Sequence, residues 1–488
     1  MNMLRKAGRQ PCLFAALCIG KSALHAALQG AARAGLFLLF SFCLGFETRA
    51  PYRYNRKKKQ QVLNFYVLRR NKMAQVGVSD VVVVGGGPAG FAAAIFAARR
   101  GLSVTLLEKG QKPLRKLRIT GKGRCNLTNN CTDEEFFQNV LRGGKFLRSS
   151  ERAFGPQDIM EFFETIGVPL KTERGRRVFP QSDRAMDIVN ALLGEAERCG
   201  VRVEYARAET VLAEDGRVSG VATDRGFYRC RAAVLATGGL SYPATGSDGD
   251  GFAMAKKLGH SVSSCVPSLV PLRCEESWCS ELEGLSLKNV ALRCKQGKKL
   301  LFDELGEMMF TGDGITGPLA LSLSAVLAGK ELPVTVSIDL KPALDAEQLD
   351  RRLLRDFGEA PNRAFKNSLS DLLPRSLIPV VIRLSGIDAE KKLNVLTAAE
   401  RRRLGELLKR LPLTVVGDHG WNEAVVTAGG VSLKEVDPKT MQSKLLPGLY
   451  LAGELLDADA YTGGYNLTIA FCTGAAAGNA VLQEDEAV

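Results

Sequence analysis

Asp80-Val81-Val82-Val83-Val84, followed at once by Gly85-Gly86-Gly87-Pro88-Ala89-Gly90, leaves this chain little choice of fold. Consecutive β-branched residues suit a strand covered on both faces, as in a parallel sheet flanked by helices. The glycine turn opens an Ala-rich stretch, Phe91–Arg100, that reads as a helix closed by Gly101. Ser103–Leu107 then supplies a second apolar strand, ending at Glu108. Such a βαβ unit of about thirty residues sets two parallel strands side by side through a right-handed crossover. The glycine spacing carries chemistry as well. Gly85 allows a tight turn, Gly87 lets backbone approach a pyrophosphate, and Gly90 permits close helix–strand packing. Free N–H groups at the helix start near Pro88 point at the same phosphates. Glu108, eighteen residues past Gly90, is placed to accept from a ribose diol, and its charge opposes a 2′-phosphate. The dinucleotide predicted is FAD or NAD, not NADP.

The far end of the chain favours FAD. Gly453-Glu454 follows the apolar run Leu449–Ala452, and Thr462-Gly463-Gly464-Tyr465-Asn466 leads into a small-residue helix expected over 469–483. A helix N-terminus there would stabilise negative charge on a reduced flavin. Gly312-Asp313-Gly314-Ile315-Thr316-Gly317 repeats the glycine spacing, but no apolar strand feeds it and no acid follows at the right distance. Its glycines read as the opening of a helix at Pro318.

Net charge is +14, yet it is concentrated. Residues 1–72 hold fourteen Lys and Arg against one acid, Glu47, whereas residues 73–488 hold 52 against 51. The main body therefore gives no reason to expect a phosphate-tracking surface, and no nucleic-acid partner is expected. Residues 1–72, with the apolar run from Gly35 to Phe46, read as a dispensable extension ahead of Met73. A genuine extension would make a membrane-surface element or, with a poor cleavage site at Thr48-Arg49-Ala50, a secretory signal. Nine of the twelve cysteines follow Met73, with no Cys-x-x-Cys pair. An odd number of scattered thiols fits a reducing, cytoplasmic compartment, and no metal site is expected.

The fold class read here is α/β: a Rossmann-like FAD-binding domain split by an inserted module. The expected division is 73–266 for the first part, 267–412 for the insertion and 413–488 for the second part. Val201–Tyr205, Ala208–Ala213, Arg217–Thr223 and Phe227–Arg231, separated by turns such as Asp215-Gly216, read as one antiparallel meander. Residues 267–340 look β-rich, and Asp345–Leu411 has helical period with heavy charge.

The segments VVVVGGGPAGFAAA, ITGKGRCNLTN, VLATGGLSYPATGSDGDGF, GEMMFTGDGITGP and the run from VTAGGVSLKEV to AYTGGYNL carry a resemblance. The chain resembles the BaiN/YhiN-type flavoproteins, also described as aminoacetone-oxidase-like FAD-binding enzymes, within the glutathione-reductase-like group. The resemblance covers nearly everything after Met73 and implies the same split domain, a Rossmann-like FAD-binding domain with an inserted β-barrel and helical module. It implies FAD contacts at Gly85, Gly87, Pro88, Ala89, Gly90, Glu108 and Lys109, and in the Gly121-Lys122-Gly123-Arg124-Cys125-Asn126 loop. Further contacts are implied at Val211 (backbone to adenine), Thr237, Gly238, Gly453, Glu454, Gly464, Tyr465 and Asn466. Relatives often carry a His after the Phe-Thr of the insertion motif, where this chain has Gly312.

The activity implied is flavin-mediated reduction of a small organic or steroid-like enone, with a small-molecule substrate and NAD(P)H as candidate donor. An oxygen-using amine oxidase and a non-catalytic flavin sensor are the alternatives. An RNA-modifying flavoenzyme is disfavoured by the balanced charge after Met73. No residue is assigned as catalytic. Arg118, Lys122 and Arg124 are expected to neutralise pyrophosphate. Cys125 and Cys131 read as structural rather than as a redox pair. Tyr461, Tyr465, His419 and Trp421 read as packing residues.

Overall fold

The computed structural model describes residues 74–483. The readings of residues 1–72, and of Met73, fall outside the described residues. Strand β1 (Val81–Val84) is completely buried, and helix α1 (Pro88–Arg99) follows the glycine turn. Then come β2 (Val104–Glu108), a short helix α2 (Arg115–Ile119), β3 (Arg202–Tyr205) and β4 (Ala232–Leu235). Together with Leu449–Leu451 they form a five-stranded parallel sheet in the order Leu449–Leu451, β4, β1, β2, β3. The reading of Val201–Tyr205 as part of a meander is thereby corrected. Arg202–Tyr205 is the outer parallel strand, paired with β2, and only its inner edge is covered. Its half-polar pattern is that of a sheet edge, which periodicity alone does not separate from a hairpin strand. The three remaining segments do form an antiparallel meander, extended in parallel by Gln75–Val78.

A second group of strands closes into a barrel. They are β5 (Leu272–Cys274), β6 (Ser286–Gln296), β7 (Lys299–Thr311), β8 (Gly314–Thr316), β9 (Val334–Asp339) and β10 (Leu411–Asp418). The order around it is β5-β8-β7-β6-β9-β10. Inward residues alternate along each strand, as in Leu411, Leu413 and Val415 of β10, and Leu292, Phe302, Met308 and Phe310 fill the interior. The barrel is a packed core, not a channel. The expected boundary at 412 lies inside β10, because that strand's period-two pattern continues to Asp418. Helix α3 (Pro318–Leu327) opens after the Gly312–Gly317 segment as expected, while α4 (Ala346–Glu359), α5 (Leu377–Ser385) and α6 (Ala398–Lys409) pack their leucine faces on the barrel core.

The chain returns to the parallel sheet through β11 (Leu449–Leu451) and ends in α7 (Tyr465–Ala480), four residues earlier than expected at its start. A Cβ on Gly474 would lie 2.3 Å from the Ala89 carbonyl oxygen, and one on Gly478 would lie 2.4 Å from that of Ala93. Small residues thus bring α7 directly onto α1. This approach carries the start of α7 to the edge of the sheet where its strands end.

Candidate functional site

The carboxyl ends of the five parallel strands form one wall of a cleft, and the lining follows the strand order. It runs from Gly453-Glu454 beyond β11, through Ala236–Gly238 beyond β4 and Val84–Gly87 beyond β1, to Leu107–Lys109 beyond β2 and Ala206 beyond β3. Four inter-strand intervals make roughly 19 Å. That length suits a dinucleotide laid across the sheet edge, the usual ligand position in such folds.

Sterics at the glycine turn fit a pyrophosphate. A Cβ on Gly85 would sit 2.5 Å from the Ala236 carbonyl oxygen, and one on Gly90 would sit 1.9 Å from that of Gly85. Both glycines are therefore fixed by the protein itself. Gly87 differs, because a Cβ there would meet no protein atom within 4 Å and Gly87 lines the cleft. Open space at that position is what a phosphate would fill. Glu108 accepts from the amide of Gly86 at 2.9 Å and from that of Gly110 at 2.6 Å. Each oxygen keeps a lone-pair direction for a ribose hydroxyl. The Thr237 hydroxyl, also in the cleft wall, is buried without a partner and is another group a ligand would satisfy.

At the β11 end the wall is polar and crosslinked. Lys116 on α2 donates to Ser241 Oγ at 2.6 Å and to Glu454 Oε2 at 2.7 Å. Glu454 Oε1 accepts from Ser241 Oγ at 2.6 Å and from the Thr427 amide at 2.8 Å. Burial alone would raise the Glu454 carboxyl, but the Lys116 ammonium and these donors hold it below the usual carboxylate range. Asn466 accepts from the Ala460 amide at 3.0 Å and donates to the carbonyls of Ala460 and Tyr461. It fixes the segment before α7, whose first residues Asn466 and Leu467 line the cleft.

The expected cofactor residues divide into two groups. Gly85, Gly87, Pro88, Ala89, Glu108, Lys109, Thr237, Gly238, Gly453, Glu454 and Asn466 all line the cleft. Lys109 does so while paired with Asp248 and Asp250. Gly90 packs beneath the turn, Tyr465 packs against Phe136, and the backbone of Gly464 lies against Thr128. Val211 lies further along its strand, where Ala206 and Ala208 form the wall instead. In the 121–126 loop Arg124, expected at the pyrophosphate, is engaged by protein groups. Its guanidinium is taken by Glu173 and Asp183 and stacks 4.1 Å over the Phe179 ring. Gly121, Gly123 and Cys125 do not line the cleft, whereas Thr120 does. Asn126 Oδ1 in that loop is buried without a partner. Cys125 and Cys131 are free thiols that burial pushes up to about 12 and about 11, far from a reactive thiolate.

Lys116, Ser241 and Thr427 were invisible to sequence reasoning. Lys116 and Glu454 are 338 residues apart and share no motif.

A parallel sheet with a glycine-turn cleft and an acid closing its second strand defines a dinucleotide-binding oxidoreductase of the Rossmann type. The chain belongs to the family described as HI0933-like protein Rossmann domain, whose model matches residues 79–480. It is an FAD-dependent oxidoreductase. It is 33% identical over 419 residues to the 3-dehydro-bile acid delta(4,6)-reductase of Clostridium scindens, covering 83% of this chain and all of that protein. It is 29% identical to the ribosomal RNA dihydrouridine synthase of Escherichia coli, covering 79% of this chain and 94% of that one. Among solved structures, the 3-ketosteroid-delta4-(5alpha)-dehydrogenase of Rhodococcus jostii RHA1, in complex with 4-androstene-3,17-dione, matches with a TM-score of 0.46 at 18% identity. That match covers 83% of this chain and 97% of the other. Among the described residues no helix is long and apolar enough to cross a membrane.

Proposed function

We propose that this protein reduces a carbon–carbon double bond conjugated to a carbonyl in a small, steroid-like enone, with NAD(P)H as electron donor. The observation that carries this reading is the likeness to the bile acid reductase, which runs the whole length of that relative. The nine free thiols among the described residues fit the cytoplasmic setting proposed with it. In the same reading the parallel sheet, formed by chain before the barrel and by chain after β10, holds the cofactor, and the barrel-and-helix module between them covers the substrate side.

FAD, when bound, would supply hydride transfer at its ring. The chain's own residues bind and orient it. Gly87 and Ala89 would offer backbone amides to the pyrophosphate at the start of α1, with Gly85 and Pro88 shaping the turn and Gly90 allowing close approach. Glu108 would hold the adenosine ribose. Lys116, held by Glu454 and Ser241, would form part of the polar wall at the opposite end. Gly453, Asn466 and the first amides of α7 would complete that end, and Gly464 and Tyr465 would seat the helix start.

A second reading, reduction of a uridine in RNA, is favoured by the relatives named ribosomal RNA dihydrouridine synthase. The two readings share their chemistry, because the double bond reduced in uridine is also conjugated to a carbonyl. The near-balanced charge of residues 73–488 favours the small molecule.

The test is anaerobic. NADH and NADPH are added in turn while the flavin band is followed, and the bleached protein is then offered cyclic enones or an rRNA fragment. Bleaching by a nicotinamide and recovery on adding an enone is the expected result. Recovery with oxygen alone would point to an oxidase, and recovery with RNA alone to the second reading.

A further inference from the structure

Three partly buried apolar side chains stand beside the β11 end of the cleft. Leu141, Leu321 and Val425 pack on a small cluster of Leu269, Ala325 and Val426, apart from both main cores. They come from the strand Val140–Arg142, from α3, and from the return out of the barrel. Val425 and Val426 also line the cleft, so the patch is continuous with it. Apolar surface left open where two modules meet, beside a cofactor cleft, is the usual setting of a small-molecule site.

The backbone beside Leu141 leads to a residue that carries a hydroxyl, Tyr461. The strand Val140–Arg142 pairs with Asp459-Ala460, and the Tyr461 amide donates to the Asn139 carbonyl at 2.9 Å. Asn466 holds the Tyr461 carbonyl from the start of α7. Tyr461 is half-buried, and burial, reinforced by Glu304 on β7, keeps its phenol protonated well past neutrality. Arg142, next to Leu141 on the same strand, is taken at 2.7 Å by both oxygens of the buried Asp459. An uncharged ring system fits a site of this composition better than a phosphodiester.

We propose that the Leu141–Leu321–Val425 patch is the substrate floor for a flat apolar ring, and that Tyr461 is a catalytic residue donating a hydrogen bond to the enone carbonyl. This rests on the enone-reductase reading given above. In the step, the β-carbon of the enone accepts a hydride from the reduced cofactor, and the double-bond pair moves to the carbonyl oxygen. The Tyr461 hydroxyl stabilises that developing enolate. A proton from water then adds to the α-carbon, giving the saturated ketone. Two electrons and two hydrogens are accounted for.

The experiment uses flavin-loaded protein and 4-androstene-3,17-dione. Binding to the oxidised form is read from the shift of the flavin band, and reoxidation of the anaerobically reduced form is read by rapid mixing. Leu321→Asp should weaken binding about tenfold or more while flavin occupancy and melting temperature hold. Tyr461→Phe should bind within about threefold of the parent yet be reoxidised about a hundredfold more slowly. If the parent responds to the enone and both variants match it, the site is placed wrongly while the enone reading stands. If the parent neither binds nor is reoxidised by any cyclic enone, the enone reading fails and takes this site with it.

Discussion

At the Glu108 end of the cleft, recognition is built from backbone amides and from the absence of side chains, all within about thirty residues of chain. At the Glu454 end it is built from side chains on four separate segments: Lys116, Ser241, Thr427 and Glu454. The first end is rigid because a βαβ unit can close in one way only. The second is rigid because each polar group is satisfied by another. A change at the first should therefore act through space and packing, and a change at the second through charge.

The sharpest way to break this contrast is Gly90→Val. The new Cβ would meet a carbonyl oxygen at 1.9 Å, and both partners are backbone. A loss of about 4 kcal/mol or more is expected, seen as little soluble protein or a collapsed melting temperature. At the other end, Lys116→Met should cost about 3 kcal/mol by leaving Glu454 unpaired. Glu454 is held low in the parent, so the stability it lends is present above the usual carboxylate range and is lost on acidification. The deficit of the variant should accordingly be large at pH 8 and shrink towards pH 4 in chemical-denaturation curves.

Glu108→Ala should leave the fold intact and weaken FAD binding by roughly ten- to a hundredfold, the value of a charge-assisted hydrogen bond. Asp345→Ala, which removes only the N-cap of α4, should leave flavin occupancy unchanged. The smallest effect is expected at a carboxylate with no lysine beside it. Glu151 is buried, one of its oxygens lacks a partner, and burial with Asp133 nearby pushes its carboxyl up to about 7. The raised value favours the protonated native form, so stability is lost as pH rises from about 4.5 to 7. Glu151→Gln should stabilise the protein by about 1–2 kcal/mol at pH 8, with the gain vanishing below about pH 4. A destabilised variant would mean that Glu151 has a cationic partner in solution, as Glu454 does here.

The same contrast explains what was legible in the sequence. Gly85, Gly87, Gly90 and Glu108 follow from local rules, since tight turns and close approaches are fixed by neighbouring residues. Closure into a barrel, set by pairing between distant strands, came only from the resemblance, whereas the β-rich character of 267–340 and the helices after it were legible from period and punctuation. Lys116 was not, because its partner lies 338 residues away and a lysine on a short helix carries no one-dimensional signal. Arg124 shows the complementary limit. A basic loop beside a phosphate motif reads as a phosphate clamp, and nothing local in the sequence shows that Glu173 and Asp183, brought from another strand and turn, pair with it. The outer strand Arg202–Tyr205 was misplaced because a sheet edge and a hairpin strand share one pattern.

The claim on which the rest depends is that a dinucleotide crosses the sheet edge against Gly87. The direct measurement is titration of FAD into flavin-stripped protein, parent against Gly87→Val. Backbone at Gly87 is extended, and no protein atom opposes a side chain there. The variant should therefore fold with a melting temperature close to that of the stripped parent and bind FAD about a hundredfold more weakly or not at all. A folded Gly87→Val protein that takes up FAD as tightly as the parent would contradict the placement of the cofactor in this cleft.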